Sequence, residues 1–315
     1  MRLDPADIRA RAREARKLSS PCRLCPRQCG VNRLAGESGY CGAGADPSVA
    51  AVVPHFGEEP PICGSGGAGT IFFCRCNLRC VYCQNHQISQ GPAGSPMLSG
   101  QLSEAMLRLQ AQGCSTIEPV SPSHHLPGLL EALAAAAEQG LRLPVVYNSN
   151  GYESTEVLEL LDGVVDVYLP DIKYAGAQAS LRYSDVPNYV EIARSAVLKM
   201  HGQVGSLVVS PEGIAERGLI IRLLVLPEDV SGTNRTLRWI RENLPSSTTI
   251  SLMAQYSPLH RATDFPPLDR PITQEEYDRV VDFAWDLGFD EAFIQETDAR
   301  NVGVPDFQLD KPFIW

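Results

Sequence analysis

Cys76, Cys80 and Cys83 stand at C-x3-C-x2-C spacing in the segment Phe72-Phe73-Cys74-Arg75-Cys76-Asn77-Leu78-Arg79-Cys80-Val81-Tyr82-Cys83-Gln84-Asn85. Thiolates are the usual ligands of iron–sulfur clusters, and a cubane normally takes four. Three in one tight loop hold three irons of a [4Fe–4S] cube and leave the fourth open to a substrate or cofactor. Such a loop constrains the fold, because three thiols converge only if the flanking chain is rigid. A strand is legible directly before it, at Gly69-Thr70-Ile71-Phe72-Phe73. The competing readings are a zinc knuckle and three buried thiols. A zinc knuckle usually shows two C-x2-C-like pairs across a spacer, which this loop lacks.

From Gly69 onward, apolar runs alternate with helical patterns. The strand candidates are Thr70–Phe73, Thr116–Val120, Pro144–Asn148, Asp166–Leu169, Leu219–Leu226 and Thr248–Met253. Several are near-continuously apolar, as parallel strands buried on both faces are. Helices are expected over Ser103–Gln112, Leu126–Glu138, Ser154–Leu161, part of Ala177–His201, Thr236–Asn243 and Thr273–Leu287. The last opens on Thr273-Gln274-Glu275-Glu276, the pattern of a capping box. Six βα units in order predict a parallel, right-handed, barrel-like sheet, with Ala292–Gln295 as a further edge strand. The expected division is 1–60 for an N-terminal helix and cysteine-rich metal-binding segment, 61–290 for the barrel core and 291–315 for a C-terminal extension.

Active sites of parallel barrels sit at the carboxyl ends of the strands. Those ends are polar here: Ser121-Pro122-Ser123-His124 after the second strand, Asn148-Ser149-Asn150 after the third, Asp171 and Lys173 after the fourth, Arg222 in the fifth and Gln255-Tyr256 after the sixth. Any one could be a cap or turn residue. Together they favour a site.

The cysteine loop with Tyr82, Leu24-Cys25-Pro26-Arg27, Val146–Glu153, Tyr168–Tyr174 and Arg217–Arg222 resemble the radical S-adenosylmethionine (SAM) superfamily. The particular likeness is to an uncharacterised branch related to pyruvate formate-lyase activating enzymes, and it spans roughly residues 20 to 290. The resemblance implies a partial (β/α)6 TIM-like barrel. It implies a [4Fe–4S] cluster on Cys76, Cys80 and Cys83, and reductive cleavage of SAM to a 5′-deoxyadenosyl radical that abstracts hydrogen. Tyr82 would contact adenine through its backbone, Asp171 and Lys173 would address ribose and carboxylate, and Arg222 the carboxylate. Asn148, Asn150 and Gln255 complete the expected cofactor-binding set. Two departures stand out. Ser121-Pro122-Ser123-His124 replaces the Gly-Gly-Glu-like stretch that holds SAM's amino group, so Ser123 and His124 become its candidates. Arg75 stands where a glycine is expected.

The implied activity is activation of a glycyl radical enzyme; the alternatives are modification of a peptide or small metabolite, or, in another class, non-catalytic iron–sulfur electron transfer. The implied partners are an electron donor of flavodoxin or ferredoxin type and a glycyl radical enzyme or peptide. A second cysteine group, Cys22, Cys25, Cys29 and Cys41, has C-x2-C-x3-C-x11-C spacing in a turn-rich segment. It suits zinc or a second [4Fe–4S] cluster equally. Clustered cysteines without an apolar h-region near Met1 lead to the expectation of a reducing cytoplasm. A net charge of −10 argues against general nucleic-acid binding, and no run approaches a membrane span.

Overall fold

The computed structural model describes residues 3–296, 304–309 and 311–313, so the expected C-terminal extension lies partly outside the described residues. Ten strands are described: β1 (Ser48–His55), β2 (Ala68–Phe73), β3 (Ser95–Pro96), β4 (Thr116–Val120), β5 (Val146–Ser149), β6 (Val167–Pro170), β7 (Val208–Val209), β8 (Ala215–Leu224), β9 (Thr249–Met253) and β10 (Ala292–Ile294). They form one sheet in the order β10-β9-β8-β6-β5-β4-β2-β1-β3, with β7 pairing off β8. The stretch from β2 to β10 is parallel throughout. β1 and β3 continue it antiparallel beyond β2.

The parallel strands are buried because they carry β-branched and aromatic residues on both faces; β2, β5 and β6 are buried along their whole length. Their order in space follows their order in the chain, as right-handed βα crossovers require. Helices Ser99–Ala111, Leu126–Glu138, Thr155–Leu161, Tyr189–Val204 and Thr233–Asn243 make the crossovers. The region Ala177–His201 resolves into two helices, Ala177–Ser184 and Tyr189–Val204, broken where Asp185 takes a left-handed φ of 57° ahead of Pro187. The capping box at Thr273 is present: Glu276 N–H donates to Thr273 Oγ1 (3.1 Å) and Thr273 N–H to Glu276 Oε2 (2.8 Å).

Three strands are absent from the sequence expectations: β1 and the two-residue β3 and β7. β1 lies inside the stretch assigned to the N-terminal extension, yet it is hydrogen-bonded along β2. Its register ends with His55 opposite Ala68, so the loop 56–59 leaves at the amino end of β2. The N-terminal helix Pro5–Lys17 packs outside the sheet on Leu126–Glu138, with Arg9 Nη2 on Glu138 Oε2 at 2.6 Å.

Candidate active site

A cavity of about 570 Å³ opens at the carboxyl ends of the parallel strands. Cys76, Cys80 and Cys83 line one side of it. The loop that carries them begins at Arg75, whose φ of 74° is left-handed. That conformation favours glycine, which explains why a glycine is the expected residue there. Arg75 holds it through its own N–H on Ile88 O (2.8 Å) and its guanidinium on Gly91 O (2.9 Å).

Each of the three sulfurs has a hydrogen-bond partner of the chain's own. Leu78 N–H (3.4 Å) and Asn150 Nδ2 (3.5 Å) donate to Cys76 Sγ. Ser184 Oγ donates to Cys80 Sγ at 2.9 Å. Ser89 Oγ lies 3.2 Å from Cys83 Sγ. Burial, together with the field of the neighbouring thiols, pushes Cys76 up to about 12. Burial likewise pushes Cys80 up to about 11, against the opposing pull of Lys173. Free thiols in this pocket therefore stay protonated, and only a bound metal would hold them as thiolates.

The neighbouring strand ends meet the loop through backbone close approach. Gly151 has φ +78°, and a Cβ there would fall 2.3 Å from Asp171 O. This lets the turn after β5 lie against the end of β6. The Tyr189 hydroxyl sits between Asn150 O (2.8 Å) and Asp171 O (3.0 Å) and accepts from Lys173 N–H. Asn150 Nδ2 also donates to Asn77 Oδ1 at 2.7 Å. Lys173 pairs with Asp171. Burial disfavours its ammonium, but Asp171 and the Cys80 sulfur outweigh that and raise its pKa, so it stays a cation beside the sulfurs.

The cavity also receives Tyr82, Asn148, Asn150, Asp171, Lys173, Arg222 and Gln255. Tyr82 is buried edge-on to Tyr174 and Tyr256. Gln255 is fixed by Gln295, whose Nε2 donates to its Oε1 at 3.1 Å. Ser123 and His124 are not among the lining residues. Ser121 turns the chain with a left-handed φ of 49°, and the two residues after Pro122 face inward. Ser123 Oγ donates to Glu153 Oε1 (2.6 Å), and His124 Nε2 lies 2.9 Å from Cys74 O. Burial drops His124 to about 4, so its ring is neutral. Neither reaches the cavity.

Arg222 reaches it but is not free. Its Nε donates to Glu59 Oε1 at 2.8 Å, its Nη2 to Glu59 Oε2 at 2.6 Å, and it pairs with Glu58. Burial opposes both charges of the Glu59 pair, yet the guanidinium still holds Glu59 below the ordinary carboxylate range. Beside them Glu118 accepts from Thr70 Oγ1 (2.7 Å) and Asn148 Nδ2 (2.8 Å). Burial and the field of Glu58 raise Glu118 well above its usual range, so it is a neutral acid. Sequence reasoning missed these three glutamates. The available signal was Arg222 itself, since a cation within Leu219-Ile220-Ile221-Arg222-Leu223 needs a carboxylate.

The N-terminal cysteines sit behind the cysteine loop. Arg27 Nε donates to Asn77 O (3.0 Å) and Arg79 Nη2 to Tyr40 O (2.7 Å), so the two segments clasp each other. Cys22, Cys25 and Cys41 are buried and Cys29 is exposed. Burial, then the fields of Cys41, Glu153 and Cys29 among others, push Cys25 up to about 12. Among the described residues no three His, Cys, Asp or Glu side chains stand close enough to close on a single metal ion. Cys63, Cys74 and Cys114 are buried outside both groups.

The site thus defines an α/β protein with a three-cysteine loop at the mouth of a parallel sheet. By sequence the chain belongs to the family of the uncharacterized protein MJ0674 of Methanocaldococcus jannaschii, being 30% identical over 279 residues, 86% of this chain and 76% of that one. No family model matches. Among solved structures it is similar to Streptococcus suis SuiB bound to precursor peptide SuiA, at 11% identity and a TM-score of 0.49. That match covers 70% of this chain but 46% of the other, too loose a superposition to bear on function. Among the described residues no helix is long and apolar enough to cross a membrane.

Proposed function

We propose that the chain is a radical SAM enzyme whose [4Fe–4S] cluster is held by Cys76, Cys80 and Cys83. The observation that supports this most is the set of three sulfurs at one cavity wall, each with a hydrogen-bond partner. Hydrogen bonds to cluster sulfurs are how a protein stabilises and tunes such a centre. When bound, cluster and SAM supply one-electron reductive cleavage and a radical that abstracts hydrogen from substrate.

The chain's own residues bind, orient and exclude water. Lys173 offers a cation to the SAM carboxylate, and Asp171 an acceptor to a ribose hydroxyl. Arg222 is offset by two carboxylates, Glu58 and Glu59, whereas Lys173 pairs with Asp171 alone, so the carboxylate role falls to Lys173. Tyr82, Leu78 and Phe73 wall the cavity with apolar surface.

For the substrate, the reading best supported is a peptide side chain or small metabolite. Phe313 packs on His55 and Phe72, and Phe307 on Phe72, so aromatic residues line the cavity's β1 side. A glycyl-radical loop inserting there from a large partner would have to pass these rings.

Calorimetric titration of anaerobically reconstituted protein with SAM tests the site. Losing a charge-assisted contact costs roughly 1.5–3 kcal/mol, so Lys173→Ala and Asp171→Ala should bind SAM about one to two decades more weakly at unchanged cluster iron. Parent-like binding by both would remove the SAM site from this cavity.

A further inference from the structure

Arg33 is 2% exposed, in a short helical turn (Arg33–Ala35) within the N-terminal cysteine segment. Its Nη2 donates to Gly44 O, but Nε and Nη1 have no hydrogen-bond partner, and no carboxylate pairs with it among the described residues. A buried cation without a counter-charge is costly. Arg33 N–H donates to Ser19 O (3.1 Å) while its Nη2 reaches Gly44 O, so the residue bridges the chain three positions before Cys22 and three after Cys41.

The chain supplies a way to make a counter-charge. Cys22, Cys25 and Cys41 are buried, and Cys29 joins them from the surface with Tyr40 N–H 3.4 Å from its sulfur. Cys22 is pinned by its N–H on Val31 O (2.8 Å) and by Gly30 N–H on its own carbonyl (3.1 Å), which folds the segment into a tight loop. Four thiolates around zinc, or around an oxidised [4Fe–4S] core, form a dianion.

We propose that Cys22, Cys25, Cys29 and Cys41 ligate a metal centre and that the Arg33 guanidinium is its buried counter-charge. The centre sits against the back of the cysteine loop, across the clasp made by Arg27 on Asn77 O and Arg79 on Tyr40 O. The inference is independent of SAM chemistry in the cavity. Zinc and iron–sulfur share the four-thiolate chemistry.

The test is metal analysis of anaerobically purified protein in which Cys76, Cys80 and Cys83 are all changed to Ala, so that only the N-terminal group can bind. Retention of about four irons per chain, or of about one zinc, supports the centre and names its metal. Cys41→Ser on that background should abolish it. No stoichiometric metal in the triple variant overturns the proposal, whatever the cavity does with SAM. The role of Arg33 is read separately, by the opposite signs expected with and without metal. Arg33→Met should lower the melting temperature of the loaded protein and raise that of the chelated protein, while Arg33→Lys stays near the parent. Equal shifts in both forms would overturn the counter-charge role.

Discussion

The two cysteine groups use the same donor atom in different settings. Cys76, Cys80 and Cys83 hang from a loop braced by strand ends; Asn150 and Ser184 donate to two of the sulfurs from distant parts of the chain, and Ser89 meets the third locally. The N-terminal four lie in a segment without regular strands, braced by turns and by the arginine clasp. The first environment has prepared polar contacts and an open cavity. The second has a buried arginine that pairs with no carboxylate among the described residues. A site meant to admit a ligand is organised around vacancy and hydrogen-bond donors. A closed site is organised around a charge to be neutralised.

The largest effect that would break this comparison is loss of the cavity cluster. Cys80→Ala should remove its iron–sulfur absorbance and all SAM cleavage, whereas Cys114→Ala should change neither, as read by visible spectra of reconstituted protein. If Cys80→Ala kept both, the two groups would not differ in role.

Next in size is Arg222→Ala. It leaves Glu58 and Glu59 buried without their cation, and breaking a buried pair in this way costs roughly 3–5 kcal/mol. Denaturant unfolding should show that loss. Unchanged stability would restore Arg222 as a group free to hold SAM.

A smaller effect concerns Glu153, which lies between the two groups. Burial raises it to about 7, against the hydrogen bonds from Ser123 and Ser149. A carboxyl raised in the folded state contributes fully below the ordinary carboxylate range, and that contribution fades as pH rises through 7, at most about 1.4 kcal/mol per pH unit. Glu153→Gln should flatten the stability profile between about pH 4.5 and 7. A parent-like slope would mean Glu153 is ionised throughout.

The smallest effect sharpens the comparison instead of breaking it. Ser184→Ala removes one donor to Cys80 Sγ and should lower the cavity cluster's reduction potential with iron content unchanged. An iron–sulfur centre on the N-terminal cysteines would not respond. A shift in both potentials would mean the two are not separately tuned.

Much of this was legible in the sequence, for identifiable reasons. The parallel strands announce themselves as apolar runs; Thr116–Val120 and the helix Leu126–Glu138 have the expected bounds to the residue. β1 did not, because Ser48-Val-Ala-Ala-Val-Val-Pro-His55 is only partly buried, contains a proline and pairs antiparallel. The strand-end rule placed Asn148, Asn150, Asp171, Lys173 and Gln255 at the cavity. It does not extend to Ser123 and His124, because a left-handed Ser121 turns the chain inward before them. Glu58 and Glu59 reach Arg222 across more than 160 positions of chain, a pairing that no local pattern carries. Arg33 carries no signal in the sequence; only its burial, with Nε and Nη1 lacking hydrogen-bond partners, sets it apart.

The most direct test of the central claim is to reconstitute the protein anaerobically, add SAM and dithionite, and measure 5′-deoxyadenosine by chromatography. 5′-Deoxyadenosine and methionine should form only with reductant, and not in Cys76→Ala. No 5′-deoxyadenosine from protein with a full cavity cluster would contradict the claim and leave iron–sulfur electron transfer as the better reading.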